Sequence, residues 1–313
     1  MQKIGLFIPT LNAGENWHIL LQGIVNQDFL LHKKLIIDSG STDKTTEIAE
    51  DFGFEIININ PTDFDHGGTR NLASDHLSDC DIIIYLTQDV LLFDSTSLKN
   101  LVMPFDDEKI ACTYGRQLPH ETANPLAIHA RSFNYPAKSL LKSKQDITTQ
   151  GFKTCFMSNS FAAYRTKDLF NEKGFPNNSI FGEDAILASK FILNGKKIYY
   201  NSDAKVFHSH SYSVKQEFKR YFDIGVFHQS NSWIREKFGS PKGEGLKYAK
   251  SELSYTLKTA PLWIFRSILS TIVKLLAYQL GTIYYIFPLF LIKKLSMNKL
   301  FWIKHAKPIS ILE

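Results

Sequence analysis

Four short apolar runs, each followed by a polar segment, constrain this chain more than any other feature. Ile4–Pro9 (IGLFIP), Lys34–Ile37, Phe54–Ile59 and Ile82–Leu86 (IIIYL) are almost continuously apolar. That pattern suits strands of a parallel sheet covered on both faces. Between them Asn16–Asn26, Thr45–Phe52 and Thr69–Leu77 carry helical spacing, with Thr42 or Asp43 a plausible N-cap for the second. The order βαβαβ predicts an α/β fold, a three-layer α/β/α sandwich on a mostly parallel central sheet with right-handed crossovers. Ligands of such sheets lie beyond the carboxyl ends of the strands. The segments to inspect are therefore Thr10–Gly14, Asp38–Asp43, Phe64–Asn71 and Thr87–Val90.

Further along, Lys109–Thr113, Ser160–Tyr164 and Lys197–Tyr200 predict strands, and Asp184–Leu193 a helix stopped by Asn194-Gly195. Val214–Phe238 predicts a long helix whose continuity is weakest at Gly225. Ser240–Glu244 (SPKGE) predicts a linker, so residues 1–240 form one domain and 241–313 a second, helical region. The three cysteines, Cys80, Cys112 and Cys155, are too scattered for a disulfide framework or a four-cysteine zinc site and suit a reducing compartment. Met1 leads directly into a strand-like run, so no secretory signal is expected.

Charge separates the two regions. The net charge is +5, yet Leu253–Leu312 contains no Asp or Glu and eight Lys and Arg residues. The body is then slightly acidic, which gives no case for nucleic-acid binding. A tail that is both basic and apolar suits an anionic membrane surface.

Five places carry chemistry. Asp38, at the end of a strand and before a helix, can accept from a nucleobase or a ribose, or can simply form an Asx-turn. Asp89 in Thr87-Gln88-Asp89 sits at the mouth of the most apolar strand, where a carboxylate beside a diphosphate holds Mg²⁺ or Mn²⁺; otherwise it is a turn residue. In His66-Gly67-Gly68-Thr69-Arg70-Asn71 the glycines allow close backbone approach to a ligand. Arg70 at a helix start conflicts with the dipole unless an anion is near. Gly182-Glu183-Asp184 opens a helix, and adjacent side chains there diverge by about 100°, so one carboxylate can serve as base while the other orients a partner or merely caps. His208 and His210 alternate beyond a strand, which puts both imidazoles on one side as possible metal ligands.

Ile8-Pro9-Thr10-Leu11-Asn12, Asp38-Ser39-Gly40-Ser41-Thr42-Asp43, the HGGTRN segment, Thr87-Gln88-Asp89 and Gly182-Glu183-Asp184, in this order, resemble the inverting family 2 glycosyltransferases with the GT-A fold. HGGTRN, TQD, His208-Ser209-His210-Ser211-Tyr212 and Arg220–Gly225 are similar to the bacterial rhamnosyltransferase branch, which builds O-antigen, rhamnan and capsule polysaccharides. The resemblance covers about residues 3–235. It implies that Pro9, Thr10, Asn12 and Asp38 line the base and ribose pocket, that Gly67, Arg70 and Gln88 lie on the donor side, and that Asp89 and His208 hold Mg²⁺ or Mn²⁺. Asp184 would be the catalytic base and Glu183 an acceptor-side residue. Asn12 stands where many relatives carry Glu, and only one carboxylate of the family's D-x-D remains. The implied reaction is a single displacement that moves L-rhamnose from dTDP-β-L-rhamnose to a lipid-linked saccharide with inversion. The alternatives are another donor, such as UDP-galactofuranose or UDP-N-acetylglucosamine, or an inactive sugar-binding scaffold.

In the tail, Leu275–Ile292 is an uncharged run at the lower limit for a membrane span, interrupted by Gln279, Gly281, Thr282 and Pro288. Before it, Leu262, Phe265, Leu269, Ile272 and Leu276 share a helical face that excludes Arg266, Ser270 and Lys274. Amphipathic helices lying on the membrane are favoured over a spanning segment, and both over a buried core helix. The expected location is peripheral, on the cytoplasmic face of a bacterial inner membrane.

Overall fold

A computed structural model describes residues 2–239 and 242–305. The first four strands, β1 (Ile4–Thr10), β2 (Lys33–Asp38), β3 (Glu55–Asn58) and β4 (Ile82–Leu86), lie where the apolar runs place them. Five more follow: β5 (Leu91–Leu92), β6 (Ile110–Leu118), β7 (Leu140–Lys142), β8 (Phe161–Arg165) and β9 (Lys197–Phe207). All nine join one sheet in the order β3-β2-β1-β4-β8-β6-β9-β5, with β7 also paired to β9. β1–β4, β6 and β9 run the same way; β5, β7 and β8 run against them. The sheet is thus mostly parallel, with β8 inserted antiparallel at its centre.

Helices α1 (Trp17–Val25), α2 (Thr45–Asp51), α3 (His66–His76), α4 (Ser97–Val102) and α5 (Pro125–Asn134) belong to the first half. The second holds α6 (Ile147–Gln150), α7 (Thr166–Asn171), α8 (Glu183–Leu193), α9 (Val214–Ser230), α10 (Ser232–Phe238), α11 (Lys242–Thr259), α12 (Ile264–Thr282), α13 (Leu289–Leu295) and α14 (Lys299–Lys304). Strand alternation splits the core in two. Leu6, Ile8, Ile36, Ile82 and Ile84 pack under α1, α2 and α4 through Trp17, Leu20, Ala49 and Leu98. Phe7, Leu35, Ile37, Ile83 and Tyr85 face the other way, onto Ala73 of α3 and Leu187 and Phe191 of α8. The three layers are thereby present.

Three features of the second half depart from expectation. The long helix breaks at Asn231 and not at Gly225, which lies inside continuous α9. Gly225 is there because α12 crosses against it: a Cβ would stand 2.3 Å from the Tyr278 carbonyl, and one on Gly281 would stand 2.1 Å from that of Phe222. Of the expected linker, Lys242–Glu244 are already helical in α11, while Ser240 and Pro241, like Lys307, lie outside the described residues. Leu275–Ile292 is not one helix. It ends α12 at Thr282, passes through a short 3-10 turn at Tyr284–Ile286, and restarts at Leu289 beyond Pro288. The C-terminal helices share the main core, to which Ala277, Tyr284, Ile292, Phe301 and Trp302 contribute.

α12 is polar on its inner side and apolar on its outer side. Ser267 and Ser270 are buried, and Arg266 and Lys274 turn inward to Glu217 (2.7 and 3.5 Å); Lys274 also reaches the buried Glu252 (3.3 Å). Leu262 is 94% exposed and Phe265 82%, with Ile268, Leu269, Ile272, Leu275 and Leu276 also exposed. By length and composition Pro261–Thr282 is the one stretch among the described residues that could cross a membrane, and 17% of its most apolar window is buried.

Candidate active site

The loops beyond β1, β2 and β4 are laced to one another. The parallel register sets Thr10 opposite Asp38, and the Thr10 hydroxyl donates to the Asp38 carboxylate at 2.8 Å. The amides of Gly40 and Ser41 and the Ser41 hydroxyl also donate to Asp38, whose residue is 2% exposed. With four donors its carboxylate is satisfied within the chain. Asp38 therefore organises the loop as an Asx-type turn. Asn12, in the left-handed region at φ 47°, accepts from the Thr42 amide and donates its own amide to Ser41. Gln88 clasps both backbone groups of Leu11 (2.8 and 3.1 Å). Pro9 is half-buried at the end of β1. These residues shape the loop rim expected to meet the nucleotide, and they do so mainly by fixing its backbone.

Two expectations around α3 are corrected. The helix starts at His66, capped by the Asp65 carboxylate on the Gly68 amide at 2.7 Å, so Arg70 lies in the second turn and not the first. Arg70 is 5% exposed; its guanidinium donates to the His66 carbonyl and pairs with Glu183 at 3.1 Å. The anion beside it within the chain is Glu183. Gly67 needs to be glycine because a Cβ would stand 1.9 Å from the Pro176 carbonyl, so the close approach is to the chain itself. Glu183, expected on the acceptor side, is buried and spent on Arg70 and on the Asn159 amide group (3.2 Å).

Asp184 is different. Gly182 adopts φ +76° immediately before α8, which turns the chain so that Glu183 and Asp184 open the helix. Asp184 accepts from the amides of Asn159 (3.2 Å) and Ala185 (2.7 Å), and no cation pairs with it among the described residues. Burial and the adjacent Glu183 carboxylate push its carboxyl up, to about 7. The Glu183 carboxyl is lowered: burial pushes it up, but Arg70 and His66 outweigh that.

Asp89, His208 and His210 bring one ligand atom each within 4.8 Å of one another. His208 Nε2 is 3.2 Å and His210 Nε2 3.6 Å from the Asp89 carboxylate. Thr87, which replaces the first carboxylate of D-x-D, donates its hydroxyl to Asp89 at 2.6 Å. Burial pushes the Asp89 carboxyl up, but the His208 and Thr87 hydrogen bonds and the two imidazoles hold it well below the usual range. Burial, aided by His208, lowers His210 to about 4, so its ring is neutral near pH 7 and able to ligate. The residue behind His208 was not visible in the sequence. Gln117 Oε1 accepts from His208 Nδ1 at 2.8 Å and also receives Arg131. An oxygen acceptor there puts the imidazole proton on Nδ1 and leaves the Nε2 lone pair facing Asp89. One carboxylate and two oriented imidazoles fit a divalent ion.

Two contact chains join this cluster to Asp184. Asp89 contacts His208, which bonds Gln117; the Gln117 amide donates to Ser158 Oγ (3.0 Å), and the next residue, Asn159, bonds both Asp184 and Glu183. On the other side His210 stacks on Tyr212, and Arg220 lies over the rings of both Tyr212 and Phe181, next to Gly182. Arg131, on Gln117, and Arg220, on Tyr212 and Phe181, lie along these two chains without a carboxylate partner among the described residues. A polar Arg116-Gln117 at the end of an apolar strand, and the segment Ser158-Asn159-Ser160 before β8, are the sequence signals that could have located these residues.

Residues 6–170 match the family described as Glycosyl transferase family 2. The chain is 50% identical over 302 residues to the O-antigen chain rhamnosyltransferase RfbN of Salmonella typhimurium, covering 96% of each. It is 46% identical over 306 residues to the O-antigen chain rhamnosyltransferase WbaN of Salmonella anatum, again covering 96% of each. Among solved structures it is similar to the mannosyltransferase PcManGT from Pyrobaculum calidifontis in complex with GDP-Man and Mn²⁺ (TM-score 0.62, 15% identity, 91% of this chain and 88% of that one). TarS 1–349 of S. aureus in complex with UDP is also similar (TM-score 0.52, 15% identity, 90% and 91%). At such identity these two likenesses show the fold alone, which is the GT-A arrangement.

Proposed function

The chain belongs to glycosyl transferase family 2, and on that premise we propose that it transfers L-rhamnose from dTDP-β-L-rhamnose to a lipid-linked saccharide in the assembly of a cell-surface polysaccharide. The sugar rests on the two O-antigen rhamnosyltransferases with which it shares about half its residues over nearly its whole length. The observation that carries the chemistry is the polar chain from Asp89 through His208, Gln117 and Ser158-Asn159 to Asp184. It holds a metal-competent cluster and a lone base in one frame.

Asp184 takes the proton of the acceptor hydroxyl as that oxygen attacks the anomeric carbon from the face opposite the leaving nucleotide. Its raised proton affinity, near the working pH, suits a general base, a contribution of typically ~10²–10⁴-fold. Arg70 keeps Glu183 ionised, and that carboxylate beside Asp184 favours proton uptake there by more than Arg70 opposes it. Arg131 and Arg220 take the anion-facing role expected of Arg70, since neither is spent on a carboxylate among the described residues. The displacement is single, with the inversion the family resemblance implies, and yields an α-L-rhamnoside. Asp89, His208 and His210 would hold the divalent ion, which when bound neutralises charge on the departing diphosphate. Two imidazole nitrogens favour Mn²⁺ over Mg²⁺. The outward apolar face of α12 supports attachment to the cytoplasmic side of an inner membrane, where a lipid-linked acceptor lies.

Transfer assays and thermal shifts with dTDP-, UDP- and GDP-sugars test this reading. Turnover with dTDP-rhamnose alone, lost in EDTA and restored better by Mn²⁺ than Mg²⁺, is expected. Turnover with UDP-galactofuranose or UDP-N-acetylglucosamine in its place would overturn the donor. Saccharide binding with no turnover from any donor would favour a scaffold.

A further inference from the structure

Away from the site, Lys215 and Lys219 of α9, Lys293 and Lys294 of α13 and Lys299 of α14 line one cavity of about 450 Å³. Five lysine side chains from three helices line this open space, and none forms an ion pair or a side-chain hydrogen bond among the described residues. The carboxylate nearest in sequence, Glu217, is buried and taken by Arg266 and Lys274. Uncompensated like charge at this density is costly without an anion.

We propose that this cavity binds the phosphate groups of anionic phospholipids and so fixes the enzyme's orientation on the membrane. The proposal deepens the membrane reading above and rests on it. Two observations select a lipid surface. Three of the lysines stand one helical turn from exposed apolar side chains: Phe290 (65% exposed) precedes Lys293 and Lys294 by three and four residues, and Ile303 (60%) follows Lys299 by four. That pairing lets the ring and the aliphatic chain enter the acyl boundary while the ammonium groups stay at phosphate depth. Among the described residues the lining consists of lysines, compact point charges without the planar fork that selects one phosphate geometry. Such a site responds to the density of negative charge and not to one headgroup.

The test is flotation of the full chain with vesicles of phosphatidylcholine, with and without about one third phosphatidylglycerol. Wild type is expected to prefer the anionic vesicles and to lose that preference as salt rises. The triple variant Lys293→Gln, Lys294→Gln, Lys299→Gln is expected to bind them roughly 100-fold more weakly, at about a fivefold loss per lysine. Its binding to neutral vesicles and its turnover with a water-soluble acceptor should stay unchanged. Lys215→Gln with Lys219→Gln, on a separate helix, should repeat the effect should the triple variant misfold. Equal wild-type binding to both vesicle types would overturn this site while leaving membrane attachment intact. Binding to neither would overturn both. Displacement by inorganic pyrophosphate well beyond that caused by chloride of equal ionic strength would make this a diphosphate site and overturn the phospholipid assignment.

Discussion

Glu183 and Asp184 are successive side chains on one helix, and what stands opposite each decides its chemistry: a guanidinium for the first, two amide groups for the second. Asp184→Asn should therefore cut transfer by about 10²–10⁴-fold with little change in donor affinity, measured as kcat and KM. In the wild type kcat should rise with pH through about 7 as Asp184 ionises. Folding favours the protonated form, so wild-type stability falls as the pH rises from about 4 to about 7. The Asn variant, free of that loss, should be the more stable protein at pH 8 in denaturant titrations. Arg70→Ala should be costly in a different way. It strands the buried Glu183 carboxylate and should lower stability by about 3–5 kcal/mol, whereas a residue that only held the nucleotide would leave the melting temperature unchanged. The junction residues Asp89, Asp184 and His208 were legible because strand ends and helix starts announce themselves locally. Gln117 and Asn159 were not, since they are brought together by the pairing of β6 with β8 and β9, between segments far apart in the chain, and Arg131 reaches Gln117 from α5. The ion pair of Arg70 was hidden for the same reason, its partner being on another helix.

At the scale of elements, the four leading strands could be read because each is a compact apolar run, and the helices between them because their faces alternate in step. β5 and β7, two and three residues long, carry no pattern of their own and exist only as partners of β9. The break of the long helix at Asn231 was invisible behind a more conspicuous glycine. That glycine belongs to a contact of backbone on backbone between α9 and α12. Gly281→Val should force these helices apart, costing about 1–3 kcal/mol or more, read as a fall in melting temperature. It should also lower transfer, because α9 carries Arg220 to the site. An exposed control such as Gly243→Val meets no neighbour and should show neither effect.

At the scale of the whole molecule, the apolar stripe of the tail was legible as an amphipathic period, but its direction was not; only the packing of α12 on α9 shows that the ions face inward. Replacing Phe265 and Ile272 by Ser should shift the protein from the membrane pellet to the supernatant while leaving turnover with a soluble acceptor unchanged. Retention in the pellet would refute that use of the stripe. The same inversion has a consequence for the protein handled in plain buffer. A flank of bare hydrocarbon over a salt-bridged interior has no good solvent in water, so two such flanks will seek each other. Without detergent the particle mass seen by light scattering should climb with concentration, and a little surfactant should return it to that of a single chain.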